Sequence, residues 1–125
     1  MYKDIEKWID NVDLDHVPEE VKGFCFNLYE DKGNVWSMEI VGTEWFDADD
    51  EDWRCDEVTT FDTRDTPFEI TRDCGWEEVL EEYVDALKKY LENGKYADVL
   101  KSREGVGTGF VDGDAEVLFS KTLNL

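Results

Sequence analysis

The sequence predicts an α+β domain, a mostly antiparallel sheet of about six strands in two hairpin groups packed against one long amphipathic helix, with a short helix at the N-terminus. Three observations carry this prediction. Apolar and polar residues alternate through two separate regions, 21–71 and 106–119, in the manner of half-buried strands. Between them, residues 76–91 switch to a helical period. Five Trp, five Tyr and seven Phe in 125 residues supply enough apolar area for a single core, so the chain reads as one domain spanning residues 1–125.

In chain order, Ile5, Trp8, Ile9 and Val12 form the apolar stripe of a short helix over Tyr2 to Val12, with Lys3, Asp4, Lys7 and Asp10 turned outward. After a break at Asp13 to Pro18, Phe24, Phe26 and Leu28 alternate with Cys25, Asn27 and Tyr29. The turn chemistry of Glu30 to Asn34 leads into a second alternation of Trp36, Met38 and Ile40, which makes the pair a hairpin. Val58 to Phe61 and Phe68 to Thr71, separated by a turn ending in Pro67, complete four antiparallel strands.

From Trp76, the apolar offsets 0, 3, 4, 7, 8, 11, 14 and 15 (Val79, Leu80, Tyr83, Val84, Leu87, Tyr90, Leu91) specify a long helix. Asp73 is the expected cap, Glu77 and Glu78 suit the positive end of the dipole, Lys88 and Lys89 suit the negative end, and Asn93-Gly94 stops the helix. A further helical turn is expected within Lys95 to Arg103. Val106 to Val111 and Ala115 to Phe119 then flank Asp112-Gly113-Asp114 as a second hairpin.

Charge narrows the function classes. The 33 acidic against 13 basic side chains leave a formal charge of -20 and favour a cationic partner. The same field repels nucleic-acid backbones and anionic membranes. No run approaches the about 18 apolar residues of a membrane span. The N-terminal residues lack a basic stretch followed by an apolar one, so a cytoplasmic protein is expected. Cys25, Cys55 and Cys74, three widely spaced thiols, fit reduced core residues better than a disulfide framework.

Catalytic and metal motifs are weak. The single histidine, His16, follows Asp15, yet sequence adjacency does not orient a carboxylate toward an imidazole, and a loop role is the simpler reading. No Cys/His spacing matches a zinc site. Gly105-Val106-Gly107-Thr108-Gly109-Phe110 lacks the third Gly of a dinucleotide fingerprint and the Lys of a P-loop, so its glycines point to a bulge or a close backbone approach in an edge strand. Counting from Asp47, a calcium loop needs Gly where Asp52 stands and Glu where Val58 stands. The expectation is no catalytic residue, no cofactor and no metal.

The segment Glu44 to Glu57 stands apart, with eight carboxylates, one Arg and three large aromatics. Such crowding of like charge destabilises a fold, and a solvated loop has no use for Trp45, Phe46 and Trp53. Either the aromatics pin the loop inward, or they anchor a partner that the acids attract. The second reading makes Glu44, Trp45, Phe46, Asp47, Asp49, Asp50, Glu51, Asp52, Trp53, Asp56 and Glu57 the candidate partner-binding residues.

The runs Pro18-Glu19-Glu20-Val21, Phe26-Asn27-Leu28-Tyr29-Glu30, Met38-Glu39-Ile40-Val41-Gly42-Thr43 and Asp49-Asp50-Glu51-Asp52-Trp53-Arg54-Cys55-Asp56-Glu57 give the chain a family likeness. So do Tyr90-Leu91-Glu92-Asn93-Gly94-Lys95-Tyr96 and Gly107-Thr108-Gly109-Phe110-Val111-Asp112-Gly113-Asp114. The chain resembles small acidic bacterial immunity proteins of polymorphic or contact-dependent toxin systems. The resemblance implies a stoichiometric inhibitor, with no catalytic residues to carry over. The expected activity is occlusion of the active groove of a cationic, nuclease-like toxin. Its rivals are a small enzyme with a site between helix and sheet, and a DNA mimic or adaptor.

Overall fold

A computed structural model describes residues 1–121. Helix α1, Tyr2–Asp10, buries Ile5 and Ile9, one turn apart, as the stripe requires. Strands β1 (Gly23–Glu30) and β2 (Val35–Thr43) form the first hairpin in antiparallel register, with Phe26 opposite Ile40. Their turn holds Gly33 at φ 70° and Asn34 at φ 62°, a left-handed pair that Gly and Asn tolerate best.

Strands β3 (Glu57–Asp62) and β4 (Phe68–Thr71) both pair antiparallel with β2, at opposite ends of the same edge. Thr63 bridges the gap, where its N–H donates to the Ile40 carbonyl (3.1 Å) and its Oγ1 accepts from the Ile40 N–H (2.9 Å). Helix α2 runs Trp76–Asn93, followed by the single-turn α3, Ala97–Leu100. Strands β5 (Gly105–Phe110) and β6 (Glu116–Ser120) form the second hairpin, completing a six-stranded sheet in the order β3-β2-β1-β5-β6 with β4 beside β2.

The α+β architecture therefore stands, with local corrections. Strand β5 is interior rather than an edge strand, because it pairs parallel with β1 on one side and antiparallel with β6 on the other. The N-cap of α2 is Gly75, without a side-chain cap bond, since Asp73 lies two residues too far upstream. The last turn of α2 holds no basic residue; Lys89, a turn earlier, instead sets its ammonium 4.4 Å from the centre of the Tyr2 ring.

Strand alternation divides the sheet into two unlike faces. Phe24, Phe26 and Leu28 of β1 join Trp36, Met38 and Ile40 of β2 in the main core, closed by Val79, Tyr83, Leu87 and Tyr90 of α2 and by Ile5 and Ile9 of α1. The intervening residues belong to the opposite face, where Cys25 and Val41 form a second, smaller core with Trp53.

Candidate functional site

The second core is built from the acidic segment. The chain leaves β2 at Thr43, crosses the sheet, makes a 3-10 turn over Glu51–Cys55 and re-enters at β3. Its neck is closed by the Glu44 N–H donating to the Asp56 carbonyl (2.8 Å) and by Trp45 Nε1 donating to Asp56 Oδ2 (2.7 Å). Within it, Asp47 Oδ1 accepts from the Asp49 N–H (2.8 Å), and Asp50 Oδ1 caps the 3-10 turn by accepting from the Asp52 N–H (3.0 Å). These short aspartate turns fold the loop locally, which is why so many Asp residues are compatible with an ordered path.

Trp53 is only 1% exposed, and Phe46 packs on it at 4.7 Å between ring centres. Both rings lie over the glycines of β5. A Cβ on Gly107 would stand 2.7 Å from Trp53 Cζ2, and one on Gly105 would run into the Phe46 ring. The alternate glycines of β5 are thus a groove for aromatics of the same chain, the close approach that the glycine run signals. A sealed Trp53 has no surface to offer a partner, while Trp45 and Phe46 are half-buried.

The carboxylates point the other way. Glu44, Asp47, Asp49, Asp50, Glu51, Asp52 and Asp56 are all exposed. Glu57 is different, because its carboxylate takes up Arg64 at 2.6 Å, and the same guanidinium reaches the buried Glu39 at 3.0 Å. Burial, with a hydrogen bond to Glu39, pushes the neighbouring Tyr29 hydroxyl up to about 12. Exposed acids also line α2 at Glu77, Glu78, Glu81 and Asp85, so negative charge surrounds the molecule. The segment 44–57 differs in density and in how firmly it is held.

Arg54 does much of that holding, a role that sequence reasoning missed. It donates to the carbonyls of Gly113 (3.0 Å), Gly109 (3.1 Å) and Phe110 (3.1 Å) at the end of β5 and in the turn beyond it. Glu51 Oε1 completes the clip by accepting from the Ala115 N–H (2.6 Å). The available signal was a lone cation among eight acids, which at that charge density implies a fixed partner.

His16 stays in its loop, exposed, with Nδ1 2.9 Å from Asp13 Oδ1. The hydrogen bond and charge of Asp13 raise its pKa. It borders an open depression of about 460 Å³ with Trp8, Thr60 and Asp62. Of the three thiols expected in the core only Cys25 is fully buried, where desolvation pushes it up to about 11, whereas Cys74 is partly buried and Cys55, in the acidic segment, is exposed. Among the described residues, no group of three or more His, Cys, Asp or Glu is placed to hold a metal ion, and no helix is long and apolar enough to cross a membrane.

The arrangement as a whole is a densely acidic outer surface clamped to the sheet from beneath. No family model, curated protein or solved structure matches this chain.

Proposed function

We propose that this protein is an acidic protein-binding module that inhibits a cationic partner, in the manner of an immunity protein that occludes the active groove of a nuclease-like toxin. One observation carries the reading: seven exposed carboxylates of residues 44–56 are presented on a segment whose aromatic side chains and single Arg are committed to the sheet. A surface ordered before binding loses little conformational freedom on association, so its charge is available for attraction rather than for folding.

A nuclease groove is basic because it neutralises phosphates, and a fixed anionic face competes for the same field. Charge of this density accelerates encounter and makes it sensitive to salt.

The test is stopped-flow association with the cationic protein that this chain captures in a pull-down, wild type against an Asp49→Asn/Asp52→Asn/Glu44→Gln variant that leaves the loop bonds of Asp47, Asp50, Glu51 and Asp56 in place. The wild-type rate is expected to fall steeply with added salt, and the variant to associate about tenfold more slowly at low salt. A rate indifferent to both salt and substitution refutes electrostatic capture by this face.

A further inference from the structure

Two large hydrophobic side chains stand out of the described surface, Trp76 at 52% exposure and Val111 at 50%. They are 35 positions apart in sequence yet line one open groove of about 800 Å³, floored by Leu28, Leu80 and Phe110. The groove opens where the parallel strands β1 and β5 both end, against the first turn of α2. Trp76 is held there edge-on to Phe110 (6.2 Å, 88°), which in turn packs edge-on to Trp36 of the main core (5.9 Å, 69°). An indole fixed by the core and still half in water costs hydration without returning burial, the condition in which exposed aromatics mark contact sites.

The rim states what the groove accepts. Glu30, Asp112 and Asp114 border it, and among the described residues no basic side chain lines it. An anionic ligand or lipid headgroup meets only repulsion there, and a second copy of this chain brings another charge of -20. A cationic segment with an apolar side chain satisfies both floor and rim: its methylenes and apolar group cover Trp76 and Val111 while its cations reach the three carboxylates.

One turn links the groove to the acidic segment. The turn that carries Asp112 and Asp114 is clipped to residues 51–54 by the Glu51 contact with Ala115 and the Arg54 contact with Gly113. We propose that the Trp76–Val111 groove seats an apolar side chain flanked by Lys or Arg on the cationic partner, so that the acidic segment steers the encounter and the groove anchors it. This rests on the reading of the protein as a binder of cationic protein, and it places the desolvated anchor on a different pair of residues from the three aromatics of the acidic segment.

The experiment follows the indole and methyl NMR signals of the full chain at low salt during titration with three peptides. They are Ac-Lys-Arg-Leu-Arg-Lys-NH2, its Leu-to-Gly analogue, and the charge-reversed Ac-Glu-Glu-Leu-Glu-Glu-NH2. The first is expected to shift the Trp76 indole and Val111 methyls saturably and to bind about tenfold more tightly than the Gly analogue, the loss that removing an apolar anchor produces. The charge-reversed peptide is expected to leave both signals in place.

Trp76→Ala and, independently, Val111→Asn, two changes at exposed positions, are expected to bring the Leu peptide down to the affinity of the Gly analogue. Equal affinity of the Leu and Gly peptides, or shifts confined to residues 44–57, overturns the groove while leaving the acidic surface as the docking face. If neither basic peptide shifts any signal at low salt, the groove and the cation-binding reading beneath it both fall.

Discussion

The two faces of one sheet solve the burial problem in opposite ways. On the helix face, β1 and β2 contribute Phe24, Phe26, Leu28, Trp36, Met38 and Ile40, and α2 covers them with its own apolar stripe. On the loop face, the same strands contribute Cys25, Asn27, Ser37, Glu39 and Val41, and β5 contributes glycines. The large side chains there come down from the covering segment, Phe46 and Trp53, into space that the sheet leaves empty. A helix can cover a sheet because its backbone hydrogen bonds are internal; an irregular acidic segment cannot, and needs Arg54, Asp turns and a glycine groove to lie still. The helix face therefore holds the larger core, and the loop face holds a smaller one beneath an irregular acidic segment.

This contrast is open to attack at its strongest point first. Phe26→Ala empties a site that is 1% exposed in the main core and is expected to lower stability by about 3–5 kcal/mol. Urea unfolding should show the whole sheet melting in one transition at lower denaturant. Retention of the wild-type midpoint places the stability elsewhere than on the helix face.

A change on the loop face should be smaller and confined. Gly107→Ala puts a methyl group 2.7 Å from Trp53 Cζ2 and 3.2 Å from the Glu116 carbonyl oxygen. The expected cost is about 1–3 kcal/mol from overpacking. Amide exchange should accelerate in residues 44–57 while β1 and β2 keep their protection, and Trp53→Phe in the same chain should recover part of the loss. Uniform acceleration through the whole sheet contradicts a separable loop face.

The smallest effect belongs to neither face. Asp13 raises the pKa of His16, so the protonated pair stabilises the folded chain fully below the ordinary histidine range. That contribution fades as pH rises through the folded value. NMR titration of the imidazole should give a pKa above 6.5 that falls in Asp13→Asn. An unmoved titration in that variant removes Asp13 as the cause.

Much of this architecture was legible beforehand because it rests on short-range periodicity. The 76–91 stripe yielded α2 at Trp76–Asn93, and the alternation from Phe68 yielded β4 at Phe68–Thr71. The density of carboxylates over 44–57 was equally plain. Whether Trp45, Phe46 and Trp53 face inward or outward was not, because a loop has no period from which to infer a face. Trp76 illustrates the converse: its place on the helical stripe predicts burial, yet at the first turn of α2 it meets Phe110 edge-on and stays 52% exposed.

Local chemistry written into the chain decided the α+β class, the helices, the hairpins and the anionic character, since each depends on neighbours within a few positions. Only the folded molecule decided that β5 lies parallel to β1, that Gly105 and Gly107 pass beneath Phe46 and Trp53, and that Trp76 and Val111 share a groove with Asp112 and Asp114. Those meetings join residues tens of positions apart. Their geometry is set by how all segments together bury apolar area and satisfy backbone groups, which no local stretch of chain encodes on its own.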